Sequence, residues 1–224
     1  MSMLTNLDLI RRVPMFAHLT SDQGEALVAG VIKKRYKRGE FIVEQGRQTN
    51  ALYIILNGRA RVLMTDSKSR EVILATLRPG DYLGEMSLID GAEHSASASA
   101  EIVTDVLILG RENFLQCLVE NTTMAMAVMR GLVQRLRSAD RKIGSLALTG
   151  VFTRVADVLL ESAEPSAGET RLIREKVSRQ DIAKMVGASR EMVSRVMKDL
   201  EEQGFIETLP NGSLLVRERR AVPR

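Results

Sequence analysis

The apolar positions change period along the chain, and each change marks a different kind of element. From residue 33 to residue 109 they come as short runs broken by turn residues. Lys33–Tyr36 stops at Arg38-Gly39, and Ala51–Leu56 stops at Asn57-Gly58, a dipeptide suited to two-residue hairpins. Arg59–Thr65 and Arg70–Leu77 follow, then Pro79-Gly80-Asp81, and Asp90-Gly91 supplies another turn before Val103–Leu109. Short strands at this spacing predict an antiparallel barrel or jelly roll. Two short amphipathic helices, over Asn6–Arg12 and Ser21–Gly30, are expected ahead of it.

Beyond the strands the period lengthens. Met129, Leu132, Leu136, Ala139, Ile143 and Leu146 are spaced 3, 4, 3, 4, 3, which is the a/d seam of a helix that pairs with another. Gln134, Arg135, Arg137, Ser138, Asp140, Arg141 and Lys142 flank it with polar groups. So narrow a stripe favours a second copy of the helix over the chain's own barrel as its partner. Gly144 and Gly150 predict a hinge, and the domain boundary is placed near residues 144–150. A further helix over Val151–Ser162 leads to a surface loop, Glu164-Pro165-Ser166-Ala167-Gly168.

The C-terminal pattern is more specific. Ser178-Arg179-Gln180-Asp181 reads as a helix N-cap with an acidic residue three positions on. A short helix over Arg179–Val186 buries Ile182 and Val186, and Gly187-Ala188 turns the chain. Ser189 then caps a second helix that runs to about Gln203. Val193, Val196, Met197 and Leu200 lie on one face; Glu191, Ser194, Arg195 and Lys198 lie on the other, with Arg190 beside them on the first turn. This predicts a helix–turn–helix whose polar second helix enters a major groove. Arginine pairs bidentately with guanine, and glutamate accepts from the cytosine amine. Ser178, Arg179, Gln180 and Lys198 are better placed for phosphate, and Ser189 for the helix start. Phe205–Leu209, Pro210-Asn211-Gly212 and Ser213–Val216 read as a small hairpin, a wing.

Composition agrees. The 224 residues are 45% hydrophobic and 27% charged, enough for two cores and a polar surface. The formal net charge is +4. From Arg171 to Arg224 there are 12 Lys/Arg and 8 Asp/Glu, so 12 − 8 = +4 falls in the last quarter, as suits a surface meeting phosphate. No apolar stretch is long enough to span a bilayer, and Met1 to Arg12 lacks the order of a signal peptide, so a cytoplasmic protein with no membrane partner is expected. Cys117 is the single cysteine, and with His18 and His94 it makes no ligand spacing. Neither a metal nor an iron–sulfur cluster is expected. No nucleophile–base pair or phosphate-gripping Gly-Lys motif suggests an enzyme.

Val177-Ser178-Arg179-Gln180-Asp181-Ile182-Ala183, Val186-Gly187-Ala188-Ser189-Arg190-Glu191, Val193 and Arg195 closely resemble the CRP/FNR family of transcription regulators. Arg38-Gly39-Glu40, Gln45-Gly46, Leu52-Tyr53-Ile54-Ile55, Gly58 and Pro79-Gly80-Asp81 with Gly84-Glu85-Met86-Ser87 look like that family's cyclic-nucleotide-binding jelly roll. The resemblance implies an α+β chain in three parts. These are an effector-binding jelly roll with flanking helices over residues 1–122, a dimerisation helix and hinge over 123–148, and a winged helix–turn–helix over 149–224. It further implies a homodimer bound to a palindromic operator in double-stranded DNA, acting on RNA polymerase. Arg190, Glu191 and Arg195 would be its base readers.

The same resemblance places a phosphate-binding cassette over Gly84–Ala96. Gly84 lets backbone approach a ligand, Glu85 can accept from a ribose hydroxyl, and Ser95 with backbone amides can hold a phosphate. Met86, Ser87 and, from the long helix, Arg135, Ala139 and Asp140 complete the expected ligand set. Two features depart from cyclic-AMP-binding members. His94 stands where they carry a phosphate-pairing arginine, and Ala139-Asp140 stands where they carry a hydroxyl pair facing adenine. A carboxylate can take two hydrogen bonds from a guanine edge, and Arg135, Arg137 and Arg141 could meet further phosphates. The expected effector is therefore cyclic di-GMP, with cyclic AMP second. A member that binds DNA without ligand, a haem sensor and a cyclic-nucleotide-binding subunit that controls an enzyme are the alternatives. The expected mechanism is a population shift: ligand near Arg135–Asp140 favours one arrangement of the seam, and the hinge passes it to the paired recognition helices.

Overall fold

A computed structural model describes residues 10, 13, 16, 20, 23–25, 27, 30–166, 170–174 and 177–217. The predicted helices at Asn6–Arg12 and Ser21–Gly30 fall largely outside them. The chain divides into two compact units, Met1–Leu136 and Arg137–Arg224.

Among its described residues the first unit holds eight strands: β1 Val31–Tyr36, β2 Phe41–Val43, β3 Ala51–Asn57, β4 Ala60–Thr65, β5 Glu71–Leu77, β6 Tyr82–Leu83, β7 Ser97–Ala100 and β8 Thr104–Gly110. They form two four-stranded antiparallel sheets, ordered β1-β8-β3-β6 and β2-β7-β4-β5. Tyr36, Ile42, Tyr53, Ile55, Ala60, Leu77, Ala98 and Val106 from both sheets share one core, as in a jelly roll. The opposite face of β3 and β8 presents Leu52, Ile54, Leu107 and Leu109 to a second core, built with α1 (Glu85–Asp90), α2 (Arg111–Glu120) and α3 (Thr122–Leu148) through Leu88, Phe114, Met124 and Val128. Both faces of these central strands are covered, which is why their sequences are continuously apolar rather than alternating.

Five of these eight strands are legible in the sequence, with ends displaced by a residue or two; β2, β6 and β7, and the helices α1 and α2, are not. Gly144 does not break α3, which continues to Leu148. The chain leaves the helix at Thr149, whose hydroxyl donates to Ser145 O at 2.8 Å, and Gly150 then adopts an extended conformation.

The second unit contains the end of α3, then α4 Val151–Ser162, β9 Glu164–Pro165, β10 Thr170–Ile173, α5 Arg179–Val186, α6 Arg190–Glu202, β11 Ile206–Thr208 and β12 Leu214–Arg217. The helices α4, α5 and α6 and the predicted wing are present, and β10 joins the wing in a sheet ordered β11-β12-β10-β9. Leu159, Ile173, Ile182, Val193, Leu200, Phe205 and Val216 lie in its core. Arg154 ties three segments together. Its guanidinium donates to Thr149 O at 2.7 Å, to Val186 O at 3.0 Å and, longer, to Leu146 O at 3.4 Å. A cation is thus placed on carbonyls at the C-terminal ends of α3 and α5, which have no acceptor role inside their own helices.

Candidate functional site

The helix–turn–helix is assembled by short-range chemistry. Ser178 Oγ accepts from Asp181 N at 3.0 Å, and Ser189 Oγ accepts from Met192 N at 3.2 Å, so both helices start at hydroxyl caps. Between them Gly187 sits at φ 65°, the left-handed conformation that the turn requires and glycine adopts without strain.

On α6, Val193, Val196, Met197 and Leu200 are buried, while Arg190, Glu191, Ser194, Arg195 and Lys198 are exposed. Ser178, Gln180 and Ser189 are exposed and Arg179 is half-buried. The Ser194 hydroxyl donates to Arg190 O at 2.9 Å, which leaves it an acceptor toward anything outside. Lys198 lies 3.7 Å from Glu202, an exposed pair worth little in water and easily exchanged for phosphate. Glu191 is held below the usual carboxylate range by its own backbone N–H and by the Ser189 hydroxyl, with Arg190 and Arg195 adding attraction. It is therefore an ionised acceptor, the form that suits the cytosine amine.

The cassette has a different character. Gly84 has φ 93°, and a Cβ there would lie 2.7 Å from Ala51 O, so this position needs glycine. Glu85 begins α1 and is 1% exposed. Its Oε1 is 2.6 Å from Arg135 Nη1 of α3, while Oε2 is buried with no hydrogen-bond partner. Arg135 also donates to Tyr82 O and lies over the Tyr82 ring, 4.9 Å from its centroid. Burial raises the Glu85 carboxyl above its ordinary range, and the guanidinium offsets this only in part. Ser87 donates to Ala92 O at 2.6 Å and closes the α1 turn; Met86 and Ser95 are exposed.

His94 faces inward. It is 7% exposed, and its Nε2 is 2.8 Å from Thr49 Oγ1, with backbone bonds to Arg47 O and Gly46 N on either side. In this arrangement the imidazole joins the cassette to the loop before β3. Thr49 was not anticipated, since it carries no signal beyond the common hydroxyl. Tyr82 was likewise missed.

Along α3, Met129, Leu136, Ile143 and Leu146 are exposed, whereas Leu132 packs partly against the chain's own core. Val133 and Met126 are exposed instead, at 48% and 42%. The outward stripe thus reads Met126, Met129, Val133, Leu136, Asp140, Ile143, and Asp140 falls on it between two apolar residues. Ala139 is exposed beside it.

Residues 33–121 match the cyclic nucleotide-binding domain family, and residues 153–222 match the Crp-like helix-turn-helix domain family. The cyclic AMP receptor protein of Thermus thermophilus is 35% identical over 92% of this chain and 93% of its own length. The chain belongs to the CRP/FNR family. Members of the CRP/FNR family are transcription regulators, and the Crp-like domain makes this one a DNA-binding protein rather than an enzyme. The cAMP-activated global transcriptional regulator Vfr of Pseudomonas aeruginosa is 32% identical over 88% of the chain and 92% of its own length. Among solved structures, the Thermus thermophilus catabolite activator protein superposes with a TM-score of 0.54 at 34% identity, covering 92% of this chain and 94% of that one. The c-di-GMP responsive regulator CLP of Xanthomonas campestris superposes with a TM-score of 0.77 at 23% identity, covering 89% of this chain and 100% of its own; that likeness carries the fold alone. Among the described residues, no cluster of His, Cys, Asp or Glu is arranged to hold a metal ion, and no helix is long and apolar enough to cross a membrane.

Proposed function

We propose that this chain is a homodimeric regulator whose grip on a palindromic operator is set by a cyclic purine nucleotide, and which acts on RNA polymerase. The observation that carries the reading is α6: a capped helix with four apolar residues buried and Arg190, Glu191, Arg195 and Lys198 exposed on the other side. Arg190, Glu191 and Arg195 read base edges; Ser178, Arg179, Gln180, Ser189, Ser194 and Lys198 support them at the backbone. The outward apolar stripe of α3 supports pairing with a second copy.

Cyclic AMP is the first effector, because the relatives at 32% and 35% identity are both named for it. The buried, open Oε2 of Glu85 supports a ribose hydroxyl as its partner. Cyclic di-GMP is the second reading, favoured by one observation: Asp140 stands exposed on α3 beside Ala139, where a carboxylate can accept from both donors of a guanine edge. Calorimetry with each nucleotide, followed by operator binding with and without it, tests the pair. Tighter binding of cyclic AMP supports the first reading, and tighter binding of cyclic di-GMP replaces it with the second. Operator affinity indifferent to both makes the chain a ligand-independent member. An Arg190→Ala variant that keeps ligand binding and loses the operator supports the recognition helix; normal operator binding by that variant overturns it.

A further inference from the structure

Among the described residues from Val151 onward, Met192 is the one large apolar side chain left exposed, at 42%. It is not at a frayed end. Its backbone N–H is held by the Ser189 cap, so it sits on the fixed first turn of α6. It follows Arg190 and Glu191 directly and precedes Arg195 by three positions, the spacing of neighbours on a helix surface. The other apolar residues of this helix, Val193, Val196, Met197 and Leu200, are all buried. Met192 thus stands beside the cationic, base-facing side of the helix rather than in the core.

Resting on the DNA-binding reading above, we infer that Met192 is a specificity-determining residue that makes van der Waals contact with the 5-methyl group of a thymine in the major groove. The thymine methyl is the apolar feature that a major groove presents, and apolar side chains read it by contact. A thioether on an unbranched chain adapts to such a surface without a fixed rotamer. Methionine offers no donor to a phosphate, so the neighbouring Arg190, Arg195 and Lys198 hold the backbone and the guanines while Met192 adds discrimination at an A·T pair.

The test removes one methyl at a time. The purified full-length protein is used to select duplexes from a random-sequence library, with cyclic AMP and, in parallel, cyclic di-GMP present. Each thymine of the selected site is then replaced by deoxyuridine, which deletes the methyl and keeps both hydrogen-bonding edges. At one thymine in each half-site the replacement is expected to weaken wild-type binding about fourfold, the worth of one buried methylene-sized group. Met192→Ala is expected to bind the thymine duplex that much more weakly and to lose the thymine–uracil difference. Met192→Leu is expected to keep it. Because no phosphate contact is removed, the salt dependence of Met192→Ala follows that of the wild type. Additive effects of the two changes, or equal thymine–uracil ratios for wild type and Met192→Ala, overturn the assignment while leaving the DNA reading intact. Failure to enrich any duplex overturns the DNA reading and this inference with it.

Discussion

The Tyr82 hydroxyl rests against Gly131 of α3, where a Cβ would stand 2.1 Å from it. That hydroxyl is buried without a hydrogen-bond partner, and the ring above it carries the Arg135 guanidinium. Gly131→Ala is therefore expected to push Tyr82 aside and loosen the Arg135–Glu85 pair. Overpacking of this kind costs about 1–3 kcal/mol. Thermal unfolding is expected several degrees lower, and calorimetry is expected to give weaker nucleotide binding. Adding Tyr82→Phe removes the clashing oxygen, so the double variant is expected to recover part of both losses; full additivity would refute the contact as the cause.

Burial of the Glu85 carboxyl costs stability. Its folded carboxyl is raised by burial, so the stabilisation it contributes is present below its unfolded value and is lost as pH rises through the folded one. Glu85→Gln removes the charge and this dependence. At neutral pH the variant is expected to unfold no lower than wild type, with its relative advantage growing as pH rises above the ordinary carboxylate range. Its nucleotide affinity is expected to fall about tenfold or more, since a hydrogen bond to a charged group is worth about 1.5–3 kcal/mol. Unfolding curves across pH and calorimetry check the two halves separately.

His94 has the opposite sign. Burial depresses its pKa, so its stabilisation is present above the ordinary value of 6.5 and is lost as pH falls through the folded one. His94→Gln keeps a donor for Thr49 but does not titrate. The wild type is expected to lose thermal stability as pH falls below about 6.5, and the variant to lose distinctly less. Equal acid sensitivity in both would place the titrating group elsewhere.

Asp140 interrupts the apolar stripe of α3 between Leu136 and Ile143. In a seam between two copies such a residue weakens pairing and fixes register. Asp140→Leu is expected to tighten self-association about tenfold or more, since burying a leucine contributes about 1.5–3 kcal/mol. Leu136→Asp is expected to dissolve the dimer. Sedimentation equilibrium measures both, and a monomeric wild type would remove the homodimer from the proposal.

What the sequence made legible follows from bulk and caps. β3 and β8 announce themselves by apolar runs that both cores use, and the Ser178 and Ser189 caps mark the starts of α5 and α6 to the residue. β7, Ser97–Ala100, has no bulky residue to show its period, yet Ala98 and Ala100 are buried in the jelly-roll core. α2 starts at Arg111 behind Gly110, which offers no side-chain cap, so nothing in the sequence signals its first turn. Leu132 and Val133 are adjacent and both apolar, and only the packing of the jelly roll against α3 decides which turns outward. At the cassette, residue types identified Glu85 and Arg135 but not their direct pairing. The contact of His94 with Thr49 is not legible either, because the two lie 45 positions apart in sequence.

Among the described residues, the buried members of the helix–turn–helix core run from Val155 to Val216. A reading head with its own core is portable. Grafted behind another sensor, the segment from α4 to β12 is expected to carry its DNA preference to a new input, so the sensor can be exchanged without rewriting the DNA-binding surface.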